Sequence, residues 1–335
     1  MDLPRLSHHL REELIAFTWG QWSQMGLLTT RQERSPWAQD PEALIVFTLE
    51  VARGEPRLFD ELMDWALLNE PLLSVRRLRA MCIDDTDQML VTAALEWLAS
   101  QRPRARLQSG GGTPATATLQ PLFRAEGPAG EIEASFAVAG LHRAPLSPSH
   151  KSRPPDPTQP INLAFRLRQI LGVGIRAETI RVLLGIGAPW VTAAVLARAT
   201  CYSKRNVHDA LAGLTNAQVV SAVSVGGEQR YAAERHKWAA LLGIEPGQLP
   251  IHRDWPQLLS ALRRILRWSE QAELASLSGY LIASRARDLL EAVRPELAFA
   301  GIGVSISSTA EGAWRDLTKA VEGALAAISA MPGRG

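Results

Sequence analysis

With 335 residues, the chain is long enough for two or three compact units, because single hydrophobic cores seldom grow beyond ~250 residues. Its net charge of +2 conceals a division: residues 1–100 carry nine Arg and no Lys against sixteen Asp and Glu, a net of −7, which leaves +9 for the remainder. An acidic front and a basic remainder suggest different partners for the two parts, while Cys82 and Cys201, far apart and without a CxxC neighbour, exclude a disulfide framework or a cysteine zinc cage.

The first residues, MDLPRLSHHLREELIAF, are polar and acid-containing, not a basic start followed by an apolar stretch. The chain is therefore expected to be cytoplasmic. His8 and His9 stand one helical turn before Glu12 and Glu13, but each face offers two ligands where zinc needs three or four. Contacts on an exposed helix start account for them.

From Leu6 to about Gln101 the pattern is helical. Leu10, Leu14 and Phe17 recur at helical spacing, and Pro41 opens a segment that puts Leu44, Phe47, Thr48 and Val51 on one face. Leu58, Leu62, Trp65 and Ala66 follow, then Met89 to Leu98. With Trp19, Trp22, Trp37, Trp65 and Trp97 these stripes predict a helical core. Residues 102–160 change character: SGGGTPATAT and APLSPSHKSRPPDPTQP predict an irregular tether, interrupted by LQPLFRA and IEASFAVAGL as docking segments.

Helical pattern resumes at Ile161, with Asn162 as a cap for a helix through Arg168 and another helix over Ala177 to Gly185. The most apolar run, Val182 to Ala197, falls short of the ~20 residues a bilayer span needs and is divided by Pro189. Two helices joined by a turn are expected, with no membrane partner. VVSAVSVGGEQRYAA, Val219 to Ala233, predicts a hairpin on Gly226 and Gly227, and Glu234 to Leu242 returns to helix. Three further helical patterns cover Asp254 to Glu270, Glu273 to Val293 and Ala313 to Ile328. The stripe Trp314, Leu317, Val321, Leu325 and Ile328 needs a covering helix from this chain or a second copy.

The segment that carries function is LARATCYSKRNVHDAL, Leu196 to Leu211. It has a small residue, Ala197, where two helices would cross, a turn through Cys201, and Ser203 as the cap of the second helix. At 100° per residue, Val207, Ala210, Leu211 and Leu214 share one buried arc, and Arg205, His208, Asp209 and Ala212 point the other way, with Lys204 and Asn206 at the margins. Cations suit phosphates and guanine edges, and an amide suits adenine. The helix start adds partial positive charge.

The order of LARATCYSKRNVHDALAGLTNAQVV followed by VSAVSVGGEQRYAA resembles the bacterial winged helix-turn-helix regulators, such as the ArsR-like and MarR-like repressors, over roughly residues 176–242. The resemblance implies that Ser203 to Leu214 is a recognition helix and Val219 to Ala233 the wing. It implies base contacts from Arg205, Asn206, His208 and Asp209, and phosphate contacts from Thr200, Tyr202, Lys204 and Arg230, with Ser203 and Gln229 completing the DNA-binding set. Members of the family often carry Gly where Cys201 stands, because that turn can require a positive φ. Glu228 near the wing tip would be repelled by phosphate.

Other motifs carry less. GVGIRA, Gly172 to Ala177, matches a loose dinucleotide fingerprint but follows a helical pattern, where the fingerprint needs a buried strand. No GxxxxGK[ST], HExxH or GxSxG occurs. Arg76, Arg77 and Arg79, and Arg263, Arg264 and Arg267, could touch phosphate but read first as ordinary exposed helix faces. The sequence thus predicts a mainly all-α chain: an acidic helical domain over 1–101, a tether over 102–160, a winged helix-turn-helix domain over 161–245 and a helical packing or dimerisation region over 246–335. Its expected function is sequence-specific double-stranded DNA binding in transcription regulation, as a homodimer that reads a palindrome, with no catalytic step and no cofactor or metal. The alternative is an antitoxin-like or defence-system interaction protein whose acidic domain binds a partner protein.

Overall fold

Asp2 and Asp40 each open a helix by accepting the backbone N–H three residues on, at 3.1 Å, with proline in the first turn. The computed structural model, which describes residues 2–27, 35–101, 119–124 and 130–329, continues from these two helices, α1 (Leu3–Gln24) and α2 (Pro41–Val51), into α3 (Pro56–Asn69), α4 (Val75–Ala80) and α5 (Asp85–Gln101). Every residue of α2 is buried, so the single apolar face read from Leu44, Phe47, Thr48 and Val51 is incomplete: α2 is the axis around which other helices pack. Trp22, Trp65 and Trp97 are fully buried, with the Trp22 and Trp65 rings 4.7 Å apart.

Both expected docking segments lie against this core. β1 (Gln120–Pro121) pairs in parallel with β2 (Leu141–His142), and α6 (Ala134–Val138) lies between them in the chain. Phe123 and Phe136 pack on Phe59 at 5.6 and 5.8 Å. Arg143 lies over all three rings and bonds Asp60 at 2.9 Å. The Asp64 carboxylate then accepts the backbone N–H groups of His150 and Ser152, which fixes the irregular stretch that follows. SGGGTPATAT lies outside the described residues.

The next elements are α7 (Leu163–Leu171), α8 (Ile175–Gly185), β3 (Val191–Thr192), α9 (Ala193–Thr200), α10 (Lys204–Asn216), β4 (Val220–Val225), β5 (Glu228–Ala233) and α11 (Arg235–Leu242). They form a second core around Ile180, Leu184, Leu196, Val207, Leu211 and Trp238. Asn162 stands at the cap position of α7 but makes no capping bond. Its amide instead donates to the carbonyls of Gln24 and Asp156, a demand from distant backbone that local pattern does not reveal. GVGIRA supplies the turn between α7 and α8, Gly172 to Gly174, and the first residues of α8. β4 and β5 make the expected hairpin on Gly226 and Gly227, both at positive φ. β3 adds a third strand in the antiparallel order β3-β5-β4, too short for a sequence pattern to announce.

The chain ends in α12 (Trp255–Ser269), α13 (Gly279–Phe299) and α14 (Ala310–Ser329). The start expected at Glu273 is corrected: a 3₁₀ turn occupies residues 272–276, and Ser278 caps α13. These helices share the first core with α1, α2, α3 and α5. Leu317, Val321, Leu325 and Ile328 are buried there with Leu290 and Leu297 of α13, so this chain supplies the cover that the stripe requires. The protein is mainly helical with one small antiparallel sheet. No helix among the described residues is long and apolar enough to cross a membrane.

Candidate nucleic-acid interface

Two helices meet at a short turn because the local sequence ends one and begins the next. Thr192 caps α9 by accepting from Val195 N. Cys201 then stops it in the left-handed region, at φ 56° and ψ 34°. The positive φ anticipated for this turn is present, carried by a residue with a Cβ at a cost of roughly 1–2 kcal/mol. Ser203 caps α10, its Oγ accepting the Asn206 N–H at 3.3 Å. Val207, Ala210, Leu211 and Leu214 are the buried residues of α10, the four expected.

Lys204, Arg205, His208 and Asp209 are exposed on the opposite face, and Gln229 is exposed on the hairpin. Asn206 is half-buried. Assigned so that its amide oxygen faces Arg76, the side chain donates to Ser203 Oγ at 2.8 Å and accepts from both terminal nitrogens of Arg76 at 2.9 Å. Arg230 is half-buried, with Nε 3.7 Å from Glu228. Two expected phosphate contacts are corrected. Thr200 is fully buried, its hydroxyl donating to the Leu196 carbonyl at 2.7 Å. Tyr202 is 9% exposed, with its ring under the Arg76 guanidinium at 5.2 Å. An open cleft of ≈ 410 Å³ runs beside α10, lined by Arg176, Asn206 and Asp209 among others.

What holds this face in position escaped the sequence reading. Asp40, Glu42, Arg77, Arg168, Glu178 and Arg181 form one ionic cluster, each at most 2% exposed. Arg77 bonds Asp40 and Glu42, and its Nε donates to the Thr200 carbonyl at 2.9 Å. Arg168 joins Glu42 to Glu178, both at 2.6 Å, and Arg181 joins Glu178 to Asp40 at 2.9 and 2.8 Å. Burial alone would raise the carboxyl pKa values. Arg77 and Arg181 outweigh it at Asp40, and Arg168, Arg77 and Arg181 at Glu178, so both are held below the usual carboxylate range. A second cluster joins Glu50, Asp84 and Asp87 to Arg263 and Arg267 of α12 and to Arg124.

The acidic front therefore meets its basic counterpart inside the molecule. Asp40, Glu42, Glu50, Asp60, Asp84 and Asp87 all pair with arginines beyond residue 100. Of the arginines read as exposed, Arg77 and Arg263 are buried, and Arg267 is largely enclosed by carboxylates. Position in VRRLRA gives no signal for this, because Arg77 and Arg79 lie 100° on either side of the inward Leu78; Arg77 is the one turned in because Asp40, Glu42 and the Thr200 carbonyl wait on its side. Among the described residues, no group of three or more His, Cys, Asp and Glu side chains is arranged to hold a metal ion.

Comparison with family models, with curated proteins and with solved structures finds no match to this chain.

Proposed function

We propose that residues 175–242 are a winged helix-turn-helix and that the protein is a sequence-specific double-stranded DNA-binding regulator. The observation that carries this reading is the two-sided character of α10. Four apolar residues anchor it while Lys204, Arg205 and His208 stand exposed at its amino-terminal half, where the helix dipole also favours phosphate. The order α8, β3, α9, α10 and a β4–β5 hairpin, with β3 beside β5, supports the same assignment. Phosphate contacts would fix position, and Arg205 and His208 would reach base edges. One such helix reads few base pairs, so a palindrome calls for two copies. Their contact would have to use a face other than the α14 stripe, which is already covered.

Fluorescence anisotropy against a fragment from upstream of the protein's own gene, with a scrambled control and a salt series, tests this reading. A preference of ~10³-fold or more, with affinity falling as salt rises, supports a regulator. Absence of binding at low salt overturns it.

A protein-docking role has one observation in its favour. The hairpin's Arg230 is turned toward Glu228, and the apolar Val225 is exposed close to the tip, a composition better suited to protein than to phosphate. The companion idea, an acidic domain that masks a basic partner, is weakened because six of its carboxylates already pair within the chain. Copurification of a distinct protein through residues 1–101 of the full chain would favour this alternative.

A further inference from the structure

The start of α10 is shared with a helix from the other end of the sequence. α4, which Ser74 caps, is fixed there by Arg77, which is buried and bonded to the Thr200 carbonyl. With Arg77 turned inward, Arg76 and Arg79 lie on the outer side of α4, and both are exposed. Arg76 covers the Tyr202 ring and bonds the Asn206 amide oxygen. Among the described residues, Arg76, Arg79, Lys204 and Arg205 form no ion pair with a carboxylate, in a molecule where most of the buried arginines do. Arg76 therefore brings an unneutralised cation from a distant segment to the start of α10, with Arg79 one helical turn further along α4.

The same contacts constrain Asn206. Reading adenine requires the amide oxygen and nitrogen together, and here both lone pairs of the oxygen are given to Arg76 and one of the two N–H groups to Ser203. A guanidinium carries five N–H donors, so Arg76 retains donors for phosphate oxygens after bonding Asn206. The ring of Tyr202 beneath it limits its rotamers, which lowers the entropy lost on forming such a contact.

Resting on the DNA-binding reading above, we propose that Arg76 and Arg79 are phosphate-contacting residues that extend the footprint of α10, and that Asn206 is a positioning residue that holds Arg76 instead of reading a base. The helical front is then part of the DNA interface. Its charge there is positive although its overall charge is negative.

The test measures affinity for a mixed-sequence duplex and for the upstream fragment across a salt series, using the full chain and the variants Arg76→Ala, Arg79→Ala, their double, Arg76→Lys and Asn206→Ala. Each lost phosphate contact should reduce the slope of log affinity against log salt by about 0.9, and the double variant by about twice that. Arg76→Lys should retain the slope. Asn206→Ala should weaken binding in the wild-type background and add little to Arg76→Ala. Unchanged melting temperatures would separate these effects from misfolding, as expected for exposed side chains. A double variant with the wild-type slope would overturn the α4 assignment and leave the α10 reading intact. A rise in preference for the upstream fragment on Arg76→Ala would mean that Asn206 reads a base once released, and would overturn its positioning role. No binding by the wild-type protein at low salt would remove the DNA reading and this proposal together.

Discussion

Arg77 donates its Nε proton to the Thr200 carbonyl at 2.9 Å across 123 positions of sequence. That bond satisfies a carbonyl at the end of α9, where the helix can no longer do so, and ties the turn before α10 to the helical front. Because Arg77 also bonds Asp40 and Glu42, the orientation of α10 depends on a charge cluster that belongs half to each side.

Removing Arg77 should therefore be severe. Arg77→Met leaves Asp40, Glu42 and Glu178 buried with one cation fewer, and breaking a buried pair from one side typically costs about 3–5 kcal/mol. Urea unfolding should record a loss in that range. Arg77→Lys should recover little, since one ammonium cannot serve the planar fork that reaches two carboxylates and a carbonyl. A loss below about 1 kcal/mol for Arg77→Met would show that the cluster is hydrated.

Acid should destabilise the protein in two stages. Burial and the nearby Arg181 push the His252 imidazole from 6.5 down to about 3, so the unfolded chain takes up a proton that the native state refuses. Stability is lost as pH falls from 6.5 toward 3. Asp40 and Glu178 are held below their ordinary values of 3.8 and 4.5, so their contribution is present above about pH 4.5 and disappears below it. Denaturation across pH should show a shallow loss beginning near 6.5 and a steeper one below 4.5. His252→Gln should flatten the upper part alone. An unchanged profile in that variant would mean that another group titrates there.

Cys201 offers a gain. Its φ of 56° is disfavoured for any residue with a Cβ, and burial pushes its thiol up to about 12, which leaves it unreactive near neutrality. Cys201→Gly should stabilise the protein by about 1 kcal/mol, read as a higher melting temperature. Destabilisation instead would mean that the side chain's packing is worth more than the strain.

The two faces of α10 should separate in mutation. Arg205→Ala removes an exposed cation and should cost ~1–3 kcal/mol of specific DNA affinity with the melting temperature unchanged. Leu211→Asp places a charge in a fully buried position and should abolish cooperative unfolding of the second core, read by circular dichroism. Unaltered affinity in the first variant, or an unaltered melt in the second, would reverse the corresponding assignment.

The inward residues of α10, its Ser203 cap and the hairpin turn were legible because each follows from local geometry: a 3.6-residue period, one hydroxyl three residues from an N–H, and two glycines in sequence. Leu122, Phe123 and Phe136 were legible as anchors because they are large apolar residues within a polar stretch. Thr200 and Tyr202 were misplaced for the opposite reason. Arg77 on the Thr200 carbonyl and Arg76 over the Tyr202 ring both come from α4, and no pattern within 196–216 encodes a neighbour more than a hundred positions away.

Sequence by itself determined the helical character, the inward face and Ser203 cap of α10, and the unequal charge of the two halves, since these depend on residues within a few turns of one another. Tertiary structure alone decided that α12, α13 and α14 return to the first core, that α2 is covered on every side, and that the acidic and basic halves neutralise each other. A charge in sequence carries no record of its partner. Burial selects the partner, because a carboxylate removed from water is tolerable only where a guanidinium is brought to meet it.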